Sequence, residues 1–272
     1  MSTSHNSSHQ IPEDAAKSAA GDTWPSFFDS HFHVIDARFP LVPDAGYLPP
    51  FFPLEAYRAR TASFHILGGA LVSASFQGFA QRYLAAALLE LGPHFVGVAQ
   101  LPAITTDAEI LELAGLGVRA LRFNLYRGGS DQLEYLEVLA RRVYELVSWH
   151  VELYIDSRHL PDLLPRLLAL PRVSIDHFGL SHLGLPHILK LAERGAWIKA
   201  TGFGRCDFAI PEALRAIYAA NPYSLVFGTD LPSTRALRPF EDGDVALVRE
   251  TLGDEGGRRV LYENAFKLYK LT

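Results

Sequence analysis

Eight short apolar runs follow one another from Ser26 onward, and longer segments with helical periodicity lie between them. Most of these runs lack strict polar alternation, as expected for parallel strands that are buried on both faces. The predicted strands are 26–31, 67–74, 95–100, 118–123, 151–156, 173–177, 196–201 and 224–230. The clearest helical patterns cover 81–92, 133–150, 186–195 and 211–221, and several end at a Gly or Asn.

This alternation favours βαβ units, and eight strands favour a closed barrel over an open doubly wound sheet. A Rossmann-type sheet lacks support because no GxGxxG sequence follows an early strand. The predicted fold class is therefore α/β, a distorted (β/α)8 barrel of the TIM type in a single domain. The segment from Val34 to His65, rich in Pro and aromatic residues, is too long for an ordinary loop. We expect it to form a lid or wall over the barrel mouth.

The N-terminal residues have a different composition, dominated by Ser, His, Ala and charged side chains. They predict a flexible tail over residues 1–22, with solvated His5 and His9, followed by the barrel over 23–272. The lone cysteine, Cys206, and the missing secretory pattern predict a cytoplasmic protein. No apolar run reaches membrane-spanning length, and the net charge of -5 includes no basic tract. We therefore expect neither a membrane nor a nucleic acid as partner; the oligomeric state stays open.

Polar side chains cluster where the predicted strands end, which is where barrels of this kind form their active sites. Strand 1 ends in Asp29-Ser-His31-Phe-His33, and side-chain alternation predicts that these three polar residues share one face toward the mouth. Strand 6 ends at His177 and strand 8 at Asp230. Imidazoles can bind one metal ion or polarise a carbonyl group, and a carboxylate among them can serve as general base.

The HxH after strand 1, the DHFG after strand 6 and the GTD after strand 8 resemble the amidohydrolase-related family. The similarity covers about residues 26–270 and is greater to the branch of 2-pyrone-4,6-dicarboxylate lactonase and related sugar or muconate lactonases. The resemblance implies a hydrolase that opens a lactone or similar cyclic ester of an anionic, carboxylate-bearing small molecule. It implies that the catalytic group is His31, His33, His177 and Asp230. It also implies substrate contacts at Tyr47, Ser75, Arg122, Arg127, Tyr154 and Arg205.

Two metal states stay open on these residues. Zinc-dependent relatives add a Lys, Glu or His ligand at strands 4 and 5, whereas strand 4 here ends near Arg122, which stays a cation and cannot bind a metal. A binuclear site is therefore not expected. One divalent ion, zinc or manganese, would be held by His31, His33 and Asp230, with His177 as a further ligand. The other state is metal-free, as in the dicarboxylate lactonase, and it is slightly favoured.

The chain departs from the family pattern at Leu180, where the pyrone lactonases place an Arg directly after DHFG. Leu cannot make the bidentate contact of Arg with a carboxylate, so we do not expect a dicarboxylate bound in the family's manner. The arginines at 122, 127 and 205 still favour an anionic substrate. Lys199 in strand 7 could form a Schiff base in an aldolase-type barrel, but a structural or electrostatic role is favoured.

The predicted mechanism assigns the proton transfer to Asp230, which takes a proton from water so that the hydroxide attacks the lactone carbonyl. The three histidines would stabilise the oxyanion, directly or through a metal ion. Two alternatives remain on the same barrel. One is a metal-dependent decarboxylase of an aromatic or muconate-type acid, which would release carbon dioxide. The other is a non-catalytic barrel that binds an anionic metabolite.

Overall fold

The computed structural model describes residues 25–128 and 133–271, and the predicted tail over 1–22 lies outside them. Eight strands pair in chain order, each parallel to the next, in a nearly closed barrel. The segment after the last strand joins the first, because the Asp230 amide donates to the His31 carbonyl at 2.7 Å and the Thr229 amide to the Asp29 carboxylate at 2.8 Å. The predicted (β/α)8 barrel is confirmed.

The strands match the predicted runs to within a few residues. They are β1 Phe27–Phe32, β2 Ile66–Val72, β3 Phe95–Ala99, β4 Val118–Asn124, β5 His150–Tyr154, β6 Val173–Ile175, β7 Trp197–Ala200 and β8 Leu225–Phe227. The helices are α1 Leu54–Arg60, α2 Arg82–Leu91, α3 Asp107–Gly115, α4 Leu136–Val147, α5 Leu160–Leu168, α6 Leu185–Glu193, α7 Ile210–Ala220, α8 Gly243–Arg258 and α9 Asn264–Tyr269. In the described part of the chain, no helix combines the length and apolar character needed to cross a bilayer.

Apolar side chains fill the barrel interior near the amino ends of the strands. This layer contains Phe28, Ala70, Val72, Val96, Val98, Ala120 and Val226, closed by Leu268 and Tyr269 of α9. A second, larger cluster fills the space between the outer face of the strands and the surrounding helices. Strand alternation places Arg122 two residues beyond Ala120 on the same face of β4, so the interior becomes polar toward the carboxyl ends. The fold thus places its buried polar groups at the end where barrels bind substrates.

Candidate active site

The four residues predicted as the catalytic group lie together at the carboxyl end of the barrel. The Nε2 atoms of His31 and His33 each lie 3.9 Å from Oδ1 of Asp230, and the Nε2 atom of His177 lies 3.8 Å from it. None of these four residues is more than 5% exposed. The structure therefore brings three imidazole nitrogens to one carboxylate oxygen, and we call this group the His–Asp centre.

The prediction that Asp29 shares this face is wrong. The pairing of β1 with β2 shifts register between Asp29 and Phe32, which interrupts the strict alternation of side chains. The Asp29 carboxylate instead accepts hydrogen bonds from the Thr229 backbone amide at 2.8 Å and from the Tyr57 hydroxyl at 3.1 Å. Burial raises the pKa of Asp29 to about 6, although these donors oppose the shift. Asp29 therefore joins β1 to helix α1 and to the segment after β8.

Left-handed backbone positions aim two members of the His–Asp centre. His177 has φ 50° and Asp230 has φ 61°, in a region that residues other than glycine rarely adopt. Gly202 makes room for the first of them, because a Cβ atom there would lie 2.7 Å from Nδ1 of His177. Gly202 itself has φ +58°. The strand exits are thus shaped for side-chain placement at the cost of backbone strain.

The tautomer of His33 follows from its hydrogen bond. Its Nδ1 lies 2.7 Å from the Val72 carbonyl oxygen, which can only accept, so Nδ1 carries the proton. Burial is the main cause that lowers the pKa of His33 well below its usual value, so the ring is neutral. Its Nε2 therefore presents a lone pair to the His–Asp centre. A lone pair can bind a metal ion or accept a hydrogen from water, but it cannot donate to a substrate carbonyl.

The other two histidines also use Nδ1 on the protein side. Nδ1 of His177 lies 2.7 Å from the Thr201 hydroxyl oxygen, and Nδ1 of His31 lies 3.5 Å from Oδ1 of Asp176. Burial lowers the pKa of His31 and lowers that of His177 further. Outer partners of this kind fix the orientation of metal-binding imidazoles. Each histidine is thereby held with Nε2 toward Asp230.

The donor set of the His–Asp centre fits one divalent ion. Within the described residues, Nε2 of His31 and Oδ1 of Asp230 are buried without a hydrogen-bond partner. Ligand atoms of His31, His177 and Asp230 lie within 4.8 Å of one another. Three imidazole nitrogens with a carboxylate oxygen are ligands that zinc accepts, and a bound ion would satisfy both unpaired atoms.

A second cluster of buried polar groups lies beside His31. It contains the carboxylates of Glu152 and Asp176 and the cation Lys199. The Lys199 ammonium forms an ion pair with Glu152, lies 3.8 Å from Oδ1 of Asp176 and 3.4 Å from Nδ1 of His31. Arg122 donates to Oδ2 of Asp176 from Nε at 3.1 Å and from Nη2 at 2.9 Å. Burial would raise the pKa of Asp176, but these cations and His31 hold it well below its usual value. This buried ion network supports the structural or electrostatic role predicted for Lys199.

Two neighbouring cavities lie at this end of the barrel, and the inner one borders the His–Asp centre. The inner cavity, about 30 Å³ in volume, is bounded by His33, His177 and Asp230 and has room for about one water molecule. The outer chamber, about 330 Å³ in volume, is bounded by Leu180 and Leu237 among others and is large enough for a small molecule. The residues that line both are Arg127, Tyr154, Arg205 and Arg235. These four residues therefore form the junction between the inner cavity and the outer chamber.

Most of the predicted substrate contacts lie on these walls. The residues lining the inner cavity include Ser75, Arg122, Arg127, Tyr154 and Arg205. Arg205 already donates from Nε to Oδ2 of Asp230 at 2.6 Å. Tyr47 borders neither cavity in the part of the chain that the structure describes; its ring packs under the Arg235 guanidinium, 4.5 Å from ring centre to Cζ. Their roles toward substrate stay predictions.

Sequence reasoning missed three side chains that shape the centre: Asp176, Arg235 and Asp44. Asp176 directly precedes His177 in the DHFG motif, so its place at a strand end was a usable signal. Asp44 accepts hydrogen bonds from the Ser75 hydroxyl at 2.6 Å and from Nη2 of Arg235 at 2.8 Å. The segment 34–65 contains helix α1 and contacts the inner cavity's lining residues Ser75 and Arg235 through Asp44, but among the described residues it lines neither cavity, and its role as a lid or wall stays a prediction.

A parallel eight-stranded barrel with three histidines and an aspartate at its strand ends defines a barrel enzyme of hydrolytic type. The family model for amidohydrolases matches residues 28–271, and the chain belongs to the amidohydrolase family. The family predicted from the three motifs is thereby confirmed.

Named relatives act on lactones and related cyclic esters. The chain is 28% identical over 267 residues to a D-galactarolactone isomerase of Agrobacterium fabrum, covering 90% of this chain and 91% of the relative. It is 31% identical over 156 residues to a 2-pyrone-4,6-dicarboxylate hydrolase of Comamonas testosteroni, covering 56% and 51%. A crystal structure from Acinetobacter baumannii of a probable 2-pyrone-4,6-dicarboxylic acid hydrolase with citric acid bound is 24% identical, with a TM-score of 0.77, covering 90% and 99%. That structure confirms the fold, and the two sequence relatives support the predicted class of enzyme.

Proposed function

We propose that this protein hydrolyses the ring ester of a lactone that carries a carboxylate group. The observation that carries the proposal is the convergence of three imidazole Nε2 atoms on Oδ1 of Asp230, 3.8–3.9 Å away, beside a cavity lined by arginines. The relatives named for a lactone and for a pyrone, which is itself a cyclic ester, support the same substrate class.

Asp230 is the group that exchanges protons in this proposal. Arg205 holds its Oδ2 at 2.6 Å, which leaves Oδ1 to accept a proton from a water in the inner cavity. The hydroxyl group adds to the carbonyl carbon of a lactone whose ring lies in the outer chamber. The ring C–O bond then breaks, and Asp230 returns the proton to the leaving oxygen. Arg127 and Tyr154 at the junction contact the substrate.

The same centre would hold one divalent ion through His31, His33, His177 and Asp230. When bound, the ion supplies Lewis-acid polarisation and a more acidic water. The tautomer of His33 favours this state over the metal-free one, since its Nε2 lone pair faces the centre. The sequence slightly favours a metal-free site, whereas we propose a site that binds one ion.

Elemental analysis should find about one zinc or manganese ion per chain in protein purified without added metal. Chelation should lower lactone turnover at least about tenfold, and adding the ion back should restore it. Removal of the ion would leave Nε2 of His31 and Oδ1 of Asp230 buried without a partner. A His33→Gln variant should lose bound metal, whereas His182→Gln, on the surface, should retain it. Full turnover by a metal-free protein would contradict this prediction. It would instead favour histidines that act on the substrate directly, without an ion.

Proton release separates hydrolysis from its alternatives. Hydrolysis of a neutral ring ester frees one carboxylic acid, so we expect about one proton per turnover near neutral pH with carboxylate-bearing five- and six-membered lactones. A pH indicator gives the rate, and NMR identifies the open hydroxy acid. A rearranged lactone formed without proton release would instead favour an isomerase, the activity named for the relative that covers 90% of this chain. Release of carbon dioxide would favour a decarboxylase.

A further inference from the structure

Arg235 lies at the junction between the inner cavity and the outer chamber. It lines both spaces, and its side chain is 21% exposed. It follows β8 in the same loop as Asp230, five residues further along, with φ 59° in the left-handed region. An arginine placed beside the His–Asp centre by strained backbone is positioned for contact with a ligand.

The segment 34–65 holds this arginine through two residues. Asp44 accepts from Nη2 at 2.8 Å, and the Tyr47 ring lies beneath the guanidinium at 4.5 Å. Asp44 is itself fixed by the Ser75 hydroxyl at 2.6 Å. Among the described residues, Nε and Nη1 of Arg235 make no hydrogen bond, so these donors are available at the junction.

Two of the three arginines expected to bind the substrate, Arg122 and Arg205, are more fully engaged within the protein, whereas Arg127 lines both cavities beside Arg235. All three nitrogens of the Arg122 guanidinium donate inward, two to Asp176 and one to the Ser73 carbonyl. Arg205 donates to Asp230 at 2.6 Å and to the Thr234 carbonyl at 2.9 Å. Moving either onto a substrate carboxylate would leave a buried acceptor unpaired.

We infer that Arg235 is a specificity-determining residue that binds the substrate carboxylate at this junction, with Asp44 and Tyr47 as its positioning residues. The substrate class is therefore a lactone whose carboxylate is borne on a substituent, apart from the ring carbonyl that reacts near Asp230. The outer chamber is bounded by Leu180 and Leu237 but also by Asp156, Arg158 and Asp207, so the remainder of the substrate meets a mixed polar and apolar surface there. This inference rests on the proposed lactone opening for its substrate, but the anion site can be measured without turnover.

Calorimetric titration with citrate, a carboxylate that is not a lactone, tests the site directly. Arg235→Gln should weaken citrate binding about 10- to 100-fold, because a charge-assisted hydrogen bond is lost. Arg235→Lys should recover part of the affinity, and Asp44→Asn should give an intermediate loss. The matched control is Arg238→Gln, since Arg238 also pairs with an aspartate, Asp244, at 2.8 Å, yet borders neither cavity in the described part of the chain. Equal affinity in Arg235→Gln and wild type would overturn the inference.

Steady-state kinetics with a lactone carboxylate and with its neutral methyl ester then distinguish loss of a charge contact from general damage to the fold. Arg235→Gln should raise KM for a lactone carboxylate about 10- to 100-fold, keep kcat within about threefold, and leave KM for the methyl ester of the same lactone unchanged. An equal rise in KM for the neutral ester would refute the carboxylate contact. If the Gln variant does not fold, the Lys and Asp44→Asn variants carry the same comparison. Absence of turnover in wild type would refute the proposed function, while citrate binding would still decide the role of Arg235.

Discussion

Replacing Asp230 with Asn should lower kcat for lactone opening about a thousandfold while leaving citrate affinity within about threefold. The amide retains the shape of the side chain and an oxygen that can accept from Nε of Arg205, which now lies 2.6 Å from Oδ2. It cannot take a proton from water at the position of Oδ1. Pre-steady-state turnover with a carboxylate-bearing lactone measures the loss.

Metal content decides which property of Asp230 the substitution removes. If the variant retains its ion and kcat still falls, the lost function is proton transfer. If activity falls in proportion to bound metal and excess ion restores it, Asp230 acts as a ligand. The matched control is Asp244→Asn, which also removes a carboxylate paired with an arginine but lies away from both cavities. Undiminished turnover by Asp230→Asn would refute the proposed mechanism.

Strand ends made the His–Asp centre predictable from sequence. Buried parallel strands are local apolar runs, and the barrel rule converts their carboxyl ends into a list of site residues. His177 and Asp230 were found in this way, and the HxH pair of β1 added His31 and His33. The same reasoning failed at Asp29, because the register shift of β1 depends on its pairing with β2, which a single strand does not encode.

Cross-barrel contacts could not be predicted, since they join residues far apart in the chain. Arg122 meets Asp176 across 54 positions, and Arg235 meets Asp44 across 191. Sequence patterns give the face of a strand but not the partner that the opposite wall supplies. The positive φ of Arg235 likewise arises in a loop without a periodic pattern. Two of the arginines expected to bind substrate therefore turned out to have acidic partners within the protein: Arg122 pairs with Asp176, and Arg205 pairs with Asp230.

The Lys199→Met variant should have a free energy of unfolding lower by about 3–5 kcal/mol at neutral pH, because two buried carboxylates would lose their shared cation. Lys199 is fully buried, paired with Glu152 and 3.8 Å from Asp176. Denaturant titration followed by circular dichroism measures the change. The control is Lys190→Met on the exposed side of α6, which should change stability by about 0.5 kcal/mol or less. A loss of the same small size at Lys199 would contradict the network.

The pH dependence of stability provides a sharper test of the same network. Although burial opposes ionisation, Lys199 and the hydrogen bond with His150 lower the pKa of Glu152 to about 2 from an ordinary value near 4.5. A depressed carboxyl pKa stabilises the fold above the unfolded value and ceases to do so as pH falls through the folded one. Wild type should therefore lose stability between about pH 4.5 and 2, while the penalty of Lys199→Met should be largest at neutral pH and shrink on acidification. The double variant Lys199→Met/Glu152→Gln should recover part of the neutral-pH loss, since it removes one unpaired buried charge. A penalty independent of pH would mean that packing of the lysine stem, and not its charge, sustains the barrel centre.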